Sequence, residues 1–144
     1  MLPKIKIKLF DGGKLPDYKT SGAVCADCYT RLDEQKIVIP AGSRKLVPLG
    51  FAVELPYGYE LVIRPRSGFT SKGIDCAIGT IDDDYRGEVM ACVINTLADD
   101  LVIQNGERIC QIAIRQVPAF EFEIVDELSE TERGKCGFGS TGVK

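Results

Sequence analysis

Gly79-Thr80-Ile81-Asp82-Asp83-Asp84-Tyr85-Arg86-Gly87 reads as a tight hairpin that carries three carboxylates and a tyrosine. Short runs of the same β character recur on both sides of it. Lys4 to Phe10 alternates, with Ile5, Ile7 and Leu9 on one face and lysines on the other. Lys36 to Ile39, Leu46 to Leu55, Gly58 to Ile63, Glu88 to Asn95, Leu101 to Gln104 and Arg108 to Ile114 are short apolar or alternating runs. Phe120, Phe122 and Ile124 alternate with Glu121, Glu123 and Val125. Turn signals separate the runs: Asp11-Gly12-Gly13, Pro40-Ala41-Gly42, Pro56-Tyr57-Gly58 and Asn105-Gly106. No segment keeps a 3.6-residue period. One short helix fits, at Ser67 to Lys72, with Ser67 as its cap. The expected fold is all-β, a sandwich, jelly roll or barrel with at most one short helix.

At 144 residues the chain is one domain by size. Residues 1–126 read as the β core, and 127–144 as a polar, then glycine-rich C-terminal tail. The net charge of −3 argues against a dedicated nucleic-acid surface, and no direct nucleic-acid binding is expected. No apolar run reaches the roughly 18 residues of a membrane span. The first residues, Met1-Leu2-Pro3-Lys4-Ile5-Lys6, lack the apolar stretch of a signal peptide. A soluble, cytoplasmic protein is the expectation. Six cysteines accompany no histidine. Cys25 and Cys28 have metal-ligand spacing without a second close pair. Four converging cysteines would make a zinc site; otherwise these are free, mostly buried thiols.

Three internal stretches carry candidate chemistry. Pro65-Arg66-Ser67-Gly68 combines a guanidinium, a hydroxyl and backbone N–H groups at a helix start, which suits a phosphate. As ordinary structure it is a capped turn with a surface arginine. Asp82, Asp83 and Asp84 make either a solvated turn or a site where one carboxylate orients and deprotonates a water. In strand geometry Asp82 and Asp84 share one face and Asp83 the other. Tyr85 beside them offers a nucleoside a flat wall. In Gly106-Glu107-Arg108-Ile109-Cys110-Gln111, the Gln111 amide either donates to a phosphate oxygen or bonds a neighbouring strand.

The tail holds Gly137-x-Gly139-x-x-Gly142, which matches a dinucleotide fingerprint in spelling alone. That fingerprint needs a helix after it, and only Val143 and Lys144 follow. The glycines still allow a close approach to an anion through successive N–H groups. Clustered carboxylates and an anion cradle are the parts of metal-assisted chemistry on a phosphorylated small molecule.

Five stretches together resemble the trimeric dUTP pyrophosphatases (dUTPases) over essentially the whole chain. They are Thr20-Ser21-Gly22-Ala23-Val24-Cys25-Ala26-Asp27, Arg64-Pro65-Arg66-Ser67-Gly68, the Gly79–Gly87 stretch, Gly106–Gln111, and Arg133-Gly134-Lys135-Cys136-Gly137-Phe138-Gly139-Ser140-Thr141-Gly142. The first departs from the usual pattern at Cys25 and Ala26, and the last at Cys136. The resemblance implies a jelly-roll domain in a homotrimer with shared active sites, hydrolysing dUTP to dUMP and pyrophosphate with Mg2+ carried by the triphosphate. It implies that Asp82 activates the water that attacks the α-phosphorus, and that Tyr85 packs on the deoxyribose. The hairpin from Ile74 through Gly79 to Tyr85 would read uracil through its backbone. Arg66, Ser67, Gly68 and Gln111 would hold phosphates, and Asp27 would reach the metal through water. Arg133, Gly139, Ser140 and Thr141 would close on the phosphate chain, with Phe138 stacked on uracil.

Two other readings use the same fold. A dCTP deaminase would need a glutamate near C4 of the base within a different signature. A regulatory protein would bind nucleotide or a partner without turnover.

Overall fold

Ile109, Cys110, Ile112 and Ala113 are all buried, and the strand that carries them is the longest in the chain. The computed structural model describes residues 3–137. Among them the order is β1 (Lys6–Leu9), β2 (Ala26–Tyr29), β3 (Lys36–Ile39), β4 (Arg44–Pro48), β5 (Phe51–Glu54), β6 (Tyr59–Pro65), α1 (Ser67–Thr70), β7 (Ile74–Cys76), β8 (Gly79–Ile81), β9 (Met90–Asn95), β10 (Leu101–Gln104) and β11 (Arg108–Gln116). All pairings are antiparallel. The largest sheet runs β2-β11-β6-β8, and a second runs β4-β9-β7. The pairs β1-β5 and β10-β3 complete the jelly roll. One core joins them, with Cys28, Leu61, Ile63, Cys110 and Ile112 from the largest sheet against Val47, Ala91, Val93 and Cys76 from the second.

Several expectations are corrected. The run Leu46 to Leu55 is two strands, broken at Leu49-Gly50. Gly50 sits at φ 76°, and a β-carbon there would lie 2.6 Å from the Gly13 α-carbon. Ser67 does not cap α1. It is the first helical residue, and Arg66 stands at the cap with no side-chain bond. Ala26–Tyr29 is a strand with no turn signals of its own. Ile74 to Tyr85 is not a hydrogen-bonded hairpin: β7 pairs with β9 and β8 with β6, so Ala77 and Ile78 carry the chain from one sheet to the other. The alternation from Phe120 to Val125 forms no strand. In a single chain it has no partner ladder, and Phe120, Phe122 and Ile124 stand exposed.

The cysteines are free thiols. Among the described residues no His/Cys/Asp/Glu group has the geometry to hold a metal. Cys28 and Cys110 face each other across β2 and β11, and Cys76 reaches Cys110 from the other sheet. Hydrogen bonding with Cys110, then burial, drives the Cys76 thiol far above the ordinary thiol range. Hydrogen bonding with Cys28, then burial, does the same for Cys110. These are apolar-core thiols rather than reactive ones. Among the described residues no helix is long and apolar enough to cross a membrane.

Candidate active site

Three of the five sequence stretches meet at one corner of the largest sheet. Gln111 on β11 lies between Asp27 on β2 and Arg64 on β6 in register. The Arg66 guanidinium turns back over the sheet: Nη1 donates to the Arg108 carbonyl at 2.8 Å, and Nε lies 3.7 Å from Asp27 Oδ1. The Arg108 Nη1 donates to Asp27 Oδ2 at 3.0 Å. The Asp27 carboxylate is therefore held between two cations, with its side chain only 13% exposed. The Gln111 Nε2 donates to the Pro65 carbonyl at 2.8 Å, which ties the strand to the entry of α1.

The start of α1 offers a second kind of group. Its first N–H groups, on Ser67 and Gly68, have no partner within the helix. A β-carbon on Gly68 would meet nothing within 4 Å. Packing within the chain therefore does not require glycine here. Phe69 anchors the turn against the core, and the Arg66 guanidinium lies 5.4 Å from its ring centroid.

The acidic stretch lies elsewhere. Asp83 and Asp84 form a turn, not a strand, so alternation does not govern the three side chains. The Tyr85 N–H donates to the Asp82 carbonyl at 3.2 Å, and Arg86 Nη1 donates to the Asp83 carbonyl at 2.6 Å. Asp83 Oδ2 accepts the Gly58 N–H at 2.8 Å. Asp82 and Asp84 are exposed. The Tyr85 hydroxyl donates to the Glu88 carbonyl at 3.1 Å, and its ring lies over Gly87, where a β-carbon would overlap the phenol. A groove of about 310 Å³ beside Asp82 is lined by Tyr57, Tyr59, Glu60, Thr80 and Val117.

Within one chain the two regions are apart. β6 and β8 pair Ile63 with Gly79 and Leu61 with Ile81, which sets Asp82 beside Glu60. Arg64 is four residues along β6 from Glu60, about 13 Å at about 3.3 Å per residue. Gly79 and Ile74 both fall on strands. The Ile74 side chain is in the core, so only its backbone is available to a ligand.

Arg133 is exposed and its Nε donates to the Cys136 carbonyl at 2.9 Å, in a turn of the tail. Phe138, Gly139, Ser140 and Thr141 lie outside the described residues. Spacing gave Arg108 no role, and it gave no sign that Asp83 braces the turn through Gly58. The signal for Arg108 was partial: Ile109 and Cys110 are consecutive apolar residues, as at a bulge, but so are Ile112 and Ala113, where the pairing is regular.

Solved structures share this fold. Staphylococcus bacteriophage 80alpha dUTPase, determined with dUpNHpp, superposes with a TM-score of 0.91 at 24% identity, covering 99% of this chain and all of that one. The dUTPase of S. aureus phage phi11, in a form described as coordinating a structural Mg(II) ion, gives 0.81 at 17% identity, covering 89% of this chain and all of that one. Sequence relatives lie nearer. The deoxyuridine 5'-triphosphate nucleotidohydrolase of Treponema denticola is 48% identical over 139 residues, spanning 94% of this chain and 96% of its own length. That of Rickettsia bellii is 45% identical over 147 residues, spanning 99% and 97%. Residues 11–142 match the sequence model of the dUTPase family. Relatives this similar over nearly their full length, and a family match that takes in all five stretches, leave one conclusion: the chain belongs to the dUTPase family.

Proposed function

We propose that the protein hydrolyses dUTP to dUMP and pyrophosphate. The observation that carries the reading is the corner where Asp27, Arg66, Arg108 and Gln111 converge, next to the free N–H groups of α1. It is built for a polyanion: a guanidinium fork, an amide and open backbone donors match phosphate oxygens. The bare Gly68 surface leaves room for that ligand to approach.

Asp82 is the group that holds and activates water. It is exposed, while Asp83 is committed to the Gly58 amide. The water attacks the α-phosphorus, its proton passes to the Asp82 carboxylate, and the bond from the α-phosphorus to the bridging oxygen breaks to release pyrophosphate. Arg66, Gln111 and the amides of Ser67 and Gly68 bind the phosphate chain and stabilise charge that grows on its oxygens. Tyr85, pinned by Glu88 and seated over Gly87, is a rigid wall for the deoxyribose. The backbone from Ile74 to Gly79 reads the base. In the tail, Arg133, Gly139, Ser140 and Thr141 close on the phosphates and Phe138 stacks on uracil.

Asp27 would hold, through water, the Mg2+ that accompanies the triphosphate, and the ion would supply charge neutralisation for the leaving pyrophosphate. The donor set fits that role. One carboxylate, Asp27, with no wider acidic cage among the described residues suits an ion that keeps its waters and its substrate oxygens.

The separation of Asp82 from Arg66 supports sites completed between chains, in a homotrimer. The uncovered apolar side chains of Phe120, Phe122, Ile124 and Leu128 support an assembly as well. Residues 1–126 are the catalytic core and 127–144 the closing tail. The test is direct: incubation with dUTP and Mg2+ should release pyrophosphate, and incubation with dCTP should release no ammonia. Ammonia without pyrophosphate would mark a deaminase, and neither product a binding protein.

A further inference from the structure

The register between β2 and β11 slips at one place. Arg108 is opposite Tyr29 and Cys110 is opposite Cys28, so Ile109 is an extra residue on β11. Ile109 and Cys110 both point into the core, at 1% and 0% exposure. A regular strand would have put Arg108 and Gln111 on opposite faces. The bulge puts them on the same one, beside Asp27.

Arg108 then does two things at the polyanion corner. Its guanidinium bonds Asp27 Oδ2 at 3.0 Å, and its carbonyl accepts Arg66 Nη1 at 2.8 Å. The direct approach of Arg66 to Asp27, at 3.7 Å, is too long for a hydrogen bond. Asp27 is thus oriented by Arg108 rather than by Arg66.

We propose that Arg108 is a positioning residue for the dUTP reaction: it holds the Asp27 carboxylate in place while Arg66 engages the phosphate chain. The proposal rests on the reading of the site given above. When Arg66 turns to a phosphate, Asp27 loses the weaker of its two cationic neighbours and keeps the stronger. Without Arg108 the carboxylate loses the orientation in which it would meet a water of the Mg2+ that accompanies the triphosphate. A supporting residue of this kind typically matters by about 10- to 100-fold.

The test is a double-mutant cycle on Arg108→Ala and Asp27→Asn, read in two ways. Binding of α,β-imido-dUTP is measured by calorimetry with and without Mg2+, and kcat and KM are measured for dUTP. Arg108→Ala is expected to weaken Mg2+-dependent binding of the analogue, and to lower kcat, by about 10- to 100-fold. Binding without Mg2+ should change much less. In the Asp27→Asn background, Arg108→Ala should add little. Arg108→Lys should recover part of the loss, since lysine keeps the charge and lacks the fork. The Arg108 side chain is 42% exposed, so these variants should fold, and melting curves verify it. Fully additive losses, or equal weakening with and without Mg2+, would overturn the proposal, because Arg108 would then be acting on the nucleotide directly. An Asp27→Asn protein with full activity would overturn it too, while leaving dUTP hydrolysis intact. Failure of the underlying reading would look different: wild-type protein would release no pyrophosphate from dUTP.

Discussion

Asp83 accepts the Gly58 N–H at 2.8 Å, and Arg86 closes the same turn through the Asp83 carbonyl. Its neighbour Asp82 is exposed at the edge of a groove. The two carboxylates therefore have different work, for a reason other than strand alternation: one braces the turn and the other meets water. Asp82→Asn should lower kcat by about 10^2-fold or more, the scale of a lost general base, with analogue binding and melting temperature kept. Asp83→Asn should leave both kcat and stability nearly unchanged, since the amide oxygen still accepts from Gly58. Asp83→Ala should cost about 1 kcal/mol of stability, read from denaturant unfolding. Steady-state kinetics on the three variants decide the matter, and equal losses of kcat at positions 82 and 83 would contradict the assignment.

At the scale of elements, the joints between sheets depend on a few polar side chains. Asn95 ends β9 and is fully buried. Its Nδ2 faces the carbonyls of Ile39, Pro40 and Asp99 at 2.8–3.3 Å, and its Oδ1 accepts the Leu97 N–H at 3.0 Å. One side chain thereby ties the end of the second sheet to the β10-β3 pair. Thr30 makes a smaller link of the same kind, donating to the Gln104 carbonyl at 2.9 Å. Removing Asn95 would strand several carbonyls and an amide away from water. Asn95→Ala should destabilise the fold by about 3 kcal/mol, near the top of the range for unsatisfied buried groups. The midpoint of urea unfolding at fixed protein concentration measures it. A shift no larger than that of an exposed control would mean that water replaces the amide.

For the whole molecule, the distance between Asp82 and the Arg66 corner is the decisive quantity. Four strand residues, about 13 Å, separate the two regions along one sheet. A water held at one cannot attack a phosphate held at the other within the same chain. Sites that borrow Asp82 from one chain and Arg66 from another remove the difficulty. Asp82→Asn and Arg66→Ala, each nearly inactive alone, should recover activity when their subunits are mixed and exchanged, because some mixed sites regain both intact residues. Pyrophosphate release before and after exchange is the measurement. No recovery, with subunit exchange verified, would place both residues of a site on one chain.

Local chemistry made much of this protein legible in its sequence. Period-two alternation and turn residues depend on near neighbours, so most strands, the short helix and the order of the five stretches followed from the chain itself. The residue types at Arg66, Asp82, Tyr85 and Gln111 pointed to a phosphorylated small molecule for the same reason, and the resemblance of the five stretches to dUTPases implied a nucleoside triphosphate. The rest depended on contacts remote in sequence. The Asp27–Arg108 bond joins residues 81 apart, and the Asp83–Gly58 bond joins residues 25 apart. Neither follows from spacing, because strand order decides which side chains share a face. The bulge at Ile109 shows the limit most clearly: its sequence mark is two adjacent apolar residues, but only the packing of both against the core turns Arg108 toward Asp27. Likewise the strandless Phe120–Val125 has the right pattern for β structure, and pattern alone cannot supply the neighbouring strand that would complete its hydrogen bonds.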